Sequence, residues 1–295
     1  MQPPRNNLPN VHALKKHHFK SAEANMKYND CYNKATIIME RVVQLESLKD
    51  TFISEVFKER TWTKLLNLVG IVYSEIINEF FSNATVDGDC IECWVRHKEF
   101  VITREMIQDF LEIHPPSQPI SIQYEDKLGS TEEMVQLLRG TLKKSSMNTI
   151  PFSSEMRTLA YLVIHNLYLV TNLTTLSAPR TMFLYDLFTY KEIDICGHIF
   201  HLLKKSIEKQ NSRTIMPFPS LIMGLIAKTK LKLPSGLTVV QRDYPISAHT
   251  VTRSTTHIKG FKTGMHTIPQ DCVEDEDGDI EEEIERFTTT RETST

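Results

Sequence analysis

Between residues 35 and 60 the apolar side chains Ile37, Ile38, Val42, Leu45, Leu48, Phe52 and Val56 recur at steps of three and four. That spacing lines one face of an α-helix and predicts an amphipathic helix over the whole stretch. Leu65, Leu68, Val69, Val72, Ile76 and Phe80 repeat the pattern in a second helical region, broken at Gly70. The period then changes. Asp87-Gly88 is a turn signal between short apolar stretches, and residues 91–96 and 100–103 read as a hairpin turning at His97-Lys98.

Helical spacing returns after Thr103, which is placed to cap residues 104–112 before Pro115-Pro116 stops the helix. Ser130 and Glu133 fit a capping box that opens a helix carrying Met134, Leu137, Leu138 and Leu142. A helix beginning at Ser153 is apolar nearly all round over 159–170, the pattern of an element buried in the middle of a bundle. Ser177 and Asp194 are N-cap candidates for two more, the second striped by Ile195, Ile199, Leu202, Leu203 and Ile207. Pro217-Phe218-Pro219 opens the last helix, through Leu221, Ile222, Leu225 and Ile226.

The expected fold is mainly α: a single helical domain over residues 34–235 with a small β hairpin. Residues 1–33, rich in Asn, His, Lys and Pro, and residues 236–295, rich in Thr, His and acid, are expected to be disordered tails.

Charge divides the chain unevenly. The net charge is −3, yet residues 271–285 hold ten acidic and no basic side chains, so the remainder is mildly basic. Such a run is either a solvated tail or a mask over a basic face, loosened by salt. Five scattered cysteines, Cys31, Cys90, Cys93, Cys196 and Cys272, imply no disulfide framework and point to a reducing compartment. The longest apolar run, 159–170, contains His165 and Asn166 and is too short for a bilayer, so no membrane partner is expected. With a polar N-terminus, the expected localisation is intracellular, nucleus or cytoplasm.

Candidate chemistry is sparse. Cys90, Cys93 and His97 offer two thiolates and an imidazole to a zinc ion but lack a fourth ligand, and strand alternation would set the two cysteines on opposite faces. His12, His17 and His18 lie in the N-terminal segment; His198 and His201 read as a surface pair. Asp87, Asp89 and Glu92 could form a two-metal carboxylate cluster, but a polar turn explains them as well. The hydrolase, zincin, phosphate-loop and dinucleotide motifs are absent from the sequence. No catalytic, cofactor-binding or metal residue is assigned, and no cofactor is expected. Basic groups at Lys15-Lys16, Lys143-Lys144, Lys204-Lys205 and Lys228, Lys230, Lys232 would track phosphate if they shared a face, and are otherwise solvated helix surface.

The order of blocks carries more information than any cluster. Arg60-Thr61-Trp62 followed by Tyr73 and Glu79-Phe80-Phe81-Ser82-Asn83, then Val95-Arg96-His97-Lys98, Phe110-Leu111-Glu112-Ile113-His114-Pro115, Leu184-Tyr185-Asp186-Leu187-Phe188, Ile193-Asp194-Ile195-Cys196-Gly197 and Met216-Pro217-Phe218-Pro219 resemble, in sequence, the plant family named "putative plant transposon protein". The plant mobile domain family is a weaker match. The chain departs from the first family at His97 and Glu112, where glycine is usual, and at His114. The resemblance implies a transposable-element-derived plant protein, a non-catalytic interaction or packaging module. It carries over no catalytic residues, because none are established for that domain. The alternative is a nucleic-acid-binding module with an acidic autoinhibitory tail. Self-association and nucleic acid are the two kinds of partner these readings allow.

Overall fold

The computed structural model describes residues 15–117, 131–138, 141–143, 146–149, 152–169, 175–208 and 215–253. In chain order these form α1 (Ala22–Lys27), β1 (Thr36–Ile37), α2 (Phe52–Glu59), α3 (Thr63–Leu66), α4 (Ser74–Asn83), β2 (Thr85–Asp87), β3 (Cys90–Val95), β4 (Lys98–Thr103), α5 (Arg104–Leu111), α6 (Thr131–Leu138), β5 (Thr141–Lys143), β6 (Ser146–Asn148), α7 (Ser154–Leu162), β7 (Thr175–Ser177), α8 (Ala178–Phe188), α9 (Ile195–Glu208), β8 (Ile215–Met216) and α10 (Pro219–Lys228). The fold is mainly α, as expected, with more β structure than one hairpin. Strands β2-β3-β4 form an antiparallel meander, β5-β6-β7 a second antiparallel sheet in which α7 intervenes between β6 and β7, and β1 pairs in parallel with β8.

One main core joins Tyr32 near the start to Ile246 near the end. Trp62 is buried against Phe57, and Phe80 and Phe81 meet edge to face at its centre. The segment apolar all round is buried as predicted: α7 starts on the Ser153 hydroxyl, which accepts from Met156 N, and continues as a π-helical turn over Val163–Tyr168. Thr103 and Asp194 also cap their helices, accepting from Met106 N and Gly197 N. At Gly197 a Cβ would sit inside the Asp194 carboxylate, so glycine is what lets that cap close. The capping box at Ser130 lies outside the described residues.

Four expectations are corrected. First, only residues 52–59 of the long predicted helix 35–60 are α-helical. Upstream the chain is extended through β1 and an isolated bridge from Val43 to Ile246, then makes a short 3-10 turn at Leu45–Leu48. The β-branched pairs Ile37-Ile38 and Val42-Val43 suit extended backbone. What requires it is Glu40. Its buried carboxylate accepts from Ser220 N and Leu221 N, supplying the N-cap that α10 lacks locally, since Phe218 makes no side-chain cap and Pro219 has no N–H. Burial raises this carboxyl above its ordinary range, and the two N–H donors pull it back.

Second, the hairpin turns at Arg96-His97 rather than His97-Lys98, with Val95 opposite Lys98. Both turn residues are left-handed, φ 48° and 64°, as a two-residue hairpin of this hand requires. The buried Glu79 holds them, accepting from Arg96 N at 2.6 Å and pairing with Arg96 Nε at 3.0 Å. Glu112, which ends α5, is left-handed too, φ 60°. His97 and Glu112 are the two positions at which the resemblance calls for glycine, and both backbones are of the kind glycine adopts most readily.

Third, residues 15–33 are not a disordered lead-in. They form α1 and a π-helical turn, Tyr28–Tyr32, that packs on α4 and ends with Tyr32 fully buried. Fourth, residues 236–253 strap the body. Ser74 N donates to Thr238 O and Val240 N to Val72 O, while Arg242 reaches Gly70 O, Ser220 Oγ and Glu40 O. Glu75 accepts from Thr238 N and its hydroxyl. Low apolar density conceals such a strap, because backbone hydrogen bonds hold it and leave no periodic trace.

Candidate polyanion interface

The residues singled out by chemistry mostly fail to assemble. Cys90 and Cys93 alternate across β3: the Cys93 side chain is buried, and burial pushes its thiol up, whereas Cys90 is half-exposed and donates to Asp87 O. His97 belongs to the turn beyond. Asp87, Asp89 and Glu92 are exposed around the β2–β3 turn, where Gly88 has φ 56°. Among the described residues no three His, Cys, Asp or Glu side chains are gathered for a metal ion. His198 corrects the surface-pair expectation. It is buried between the Tyr168 and Phe183 rings with Nε2 3.1 Å from Leu167 O, and burial lowers its pKa to about 4. His201, one helical turn on, is half-exposed, so the helix divides the pair between core and surface. His17 and His18 lie against the β3–β4 turn; His12 is outside the described residues.

The basic groups divide as well. Lys204 and Lys205 are half-buried on α9, with Lys204 Nζ donating to Gly88 O. Lys15 is exposed ahead of α1, and the side chains of Lys143 and Lys144 lie outside the described residues. The group at 228–232 does gather partners. Lys228 is in the last turn of α10, Lys230 takes a left-handed turn conformation (φ 56°), and Lys232 follows; all three are exposed.

Two lysines distant in sequence join them. Lys98, at the start of β4, donates to Thr229 O, one of the carbonyls that the end of α10 leaves without a helical partner. The negative end of the α10 dipole favours an ammonium there. Lys64, on α3, sits 5.2 Å from the centroid of the Phe110 ring, and Lys228 sits 5.2 Å from the same centroid. Phe110 can lie between them because α10 presents Gly224 to it; a Cβ there would occupy the ring position.

Glu112 pairs with Lys64 at 2.7 Å, and Lys64, then Lys228, hold its carboxyl below the usual range. The result is a collar in which Lys64, Lys98 and Lys228 gather at the end of α10, the exposed Lys230 and Lys232 follow in the chain, and Glu112 is the paired acid. Sequence could flag Lys228, Lys230 and Lys232. Nothing local marks Lys64, Lys98 or Phe110, which only the packing of α3, β4 and α5 on α10 brings there. Ammonium groups donate and do not accept, so such a surface suits anions. No helix among the described residues is long and apolar enough to cross a membrane.

No curated protein matches the chain, and no solved structure does. A family model does match, over residues 58–231, and it carries the description "Putative plant retrotransposon-related domain". That span runs from the end of α2 to just beyond α10, taking in the central helices and four of the five collar lysines, Lys232 lying one residue beyond it. The match covers more than half of the chain, which therefore belongs to this family of plant retrotransposon-related domains.

Proposed function

We propose that this chain is a non-catalytic interaction module, derived from a plant transposable element, that holds a nucleic-acid backbone on the lysine collar. The observation behind this is the convergence of Lys64, Lys98 and Lys228 from three separate elements on the end of α10, which the exposed Lys230 and Lys232 follow in the chain. Phosphates that replace condensed counterions on such a surface bind without sequence preference and with strong salt dependence. The test is fluorescence anisotropy of the full chain with a labelled DNA duplex and a labelled single-stranded RNA, from 50 to 200 mM KCl. Affinity should fall with a log–log slope no steeper than about −4.5 for the duplex and about −3.5 for the single strand, the values for five phosphate contacts. The triple variant K64E/K228E/K230E should lose at least about tenfold. Absence of binding at low salt, or a triple variant that binds as the parent does, would refute the collar. Metal-dependent strand cleavage by the purified protein would refute the non-catalytic reading.

Self-association is the second reading, favoured by one observation. Val69 and Ile71 are 78% and 57% exposed, beside Val239, which is bridged to Tyr73 and 46% exposed. Concentration-dependent sedimentation abolished by V69S/I71S would support it, and a monomer at all concentrations would remove it.

A further inference from the structure

We propose that residues 15–27 are a detachable arm, clipped to the β3–β4 turn by His18 and released when that imidazole takes up a proton. The arm has its own apolar anchor. Phe19 and Ala24 form a cluster separate from the main core, and the apolar link between the two is Tyr28, which packs against both; Cys31 and Tyr32 immediately beyond belong to the main core. A unit with so little shared apolar contact can open by itself.

Its polar ties to the body converge on His18 and Lys20, which flank Phe19. Asn83 of α4 accepts from Lys20 N at 2.8 Å and donates to His18 O at 2.9 Å. Lys20 pairs with Glu99 of β4 at 2.8 Å, and the His18 ring meets Arg96.

The His18 contacts conflict with one another. Nδ1 faces the Lys15 backbone N–H at 3.0 Å, and Nε2 faces Arg96 Nη1 at 2.6 Å. Both neighbours only donate, while a neutral imidazole has one accepting nitrogen, so one of the two contacts is always mismatched. The imidazolium has no accepting nitrogen. Protonation would therefore break both contacts and set a cation against the guanidinium.

The surrounding charges reinforce this. The rings of His17 and His97 lie alongside, Lys15 stands at the head of the arm, and Glu79 is engaged with Arg96 on the far side. Burial first, then Arg96, lowers the His18 pKa to about 4. An arm that titrates normally once released should open about twentyfold more readily at pH 5 than at pH 7.

The experiment is hydrogen exchange by mass spectrometry on the full chain at pH 7, 6 and 5, corrected for intrinsic exchange rates. Peptides within 15–27 should lose protection by about twentyfold between pH 7 and pH 5 while those of α4 and β3 keep theirs. In H18Q, whose side chain does not titrate, arm protection should lose most of its pH dependence; burial raises the Glu79 carboxyl to about 7, and what dependence survives belongs to the Glu79–Arg96 pair. The proposal fails if wild-type arm protection is flat, if arm and α4 open together, or if H18Q shows the wild-type pH profile. If H18Q leaves the arm undocked at pH 7, the His18 titration in the wild-type chain, followed by imidazole NMR, decides. A midpoint well below the ordinary value supports the clip; an ordinary midpoint overturns it.

Discussion

Glu40 is the residue whose loss should cost this fold most for its size. It is 3% exposed, and its carboxylate accepts from Ser220 N at 3.0 Å and Leu221 N at 3.1 Å. Glu40→Ala strands both donors at the buried start of α10. Each buried N–H left without a partner costs about 1–3 kcal/mol, so the pair amounts to about 2–6 kcal/mol. Against a total stability of about 5–15 kcal/mol that is a large share. At about 2–4 °C per kcal/mol for a domain of this size, a loss of 4 kcal/mol lowers Tm by roughly 8–16 °C. Glu40→Gln retains one accepting oxygen and turns an amide NH2 toward the other donor, so it should fall between the two. Urea and thermal unfolding followed by far-UV circular dichroism measure all three proteins. If Glu40→Ala unfolds within about 0.5 kcal/mol of wild type, the change counts as an ordinary surface substitution and the remote cap is not what holds α10.

Three further outcomes follow from the same structure. His97→Gly should stabilise by about 1 kcal/mol by relieving left-handed strain, and Glu112→Gly should move in the same direction; urea midpoints check both. Gly197→Ala forces the Asp194 carboxylate off Gly197 N and away from Arg104, and should destabilise by about 2 kcal/mol, an effect that a substitution at exposed Gly70 should not reproduce. Burial lowers the pKa of both His165 and His198 to about 4, so each contributes stability that is fully present above the unfolded value near 6.5 and is lost as pH falls toward 4. The slope is about 1.4 kcal/mol per pH unit for each histidine, and His198→Phe should remove one of the two shares in unfolding measured at pH 7, 6 and 5.

Where an element's stability is local, the chain alone revealed it. Ser153, Thr103 and Asp194 each sit next to the helix they cap, so residue type and spacing were enough. The lysine collar was half visible: Lys228, Lys230 and Lys232 stand together in the sequence, whereas Lys64, Lys98 and Phe110 do not. The arm and the strap resemble disordered tails in sequence and are ordered in the structure. Their anchors, Asn83 for the arm and Glu75 for the strap, lie more than sixty residues away along the chain.

The sequence by itself determined the helical class of this protein, its main helix starts, and the block order that goes with its family. Those features rest on periodicity and on capping within a few residues. Only the tertiary structure decided that Glu40 caps α10, that Glu79 locks the Arg96-His97 turn, and that Lys64 and Lys98 join Lys228 at one helix end. Each of these depends on a polar group whose partner is remote in the chain, and burial, which makes such partners obligatory, exists only once the core has closed.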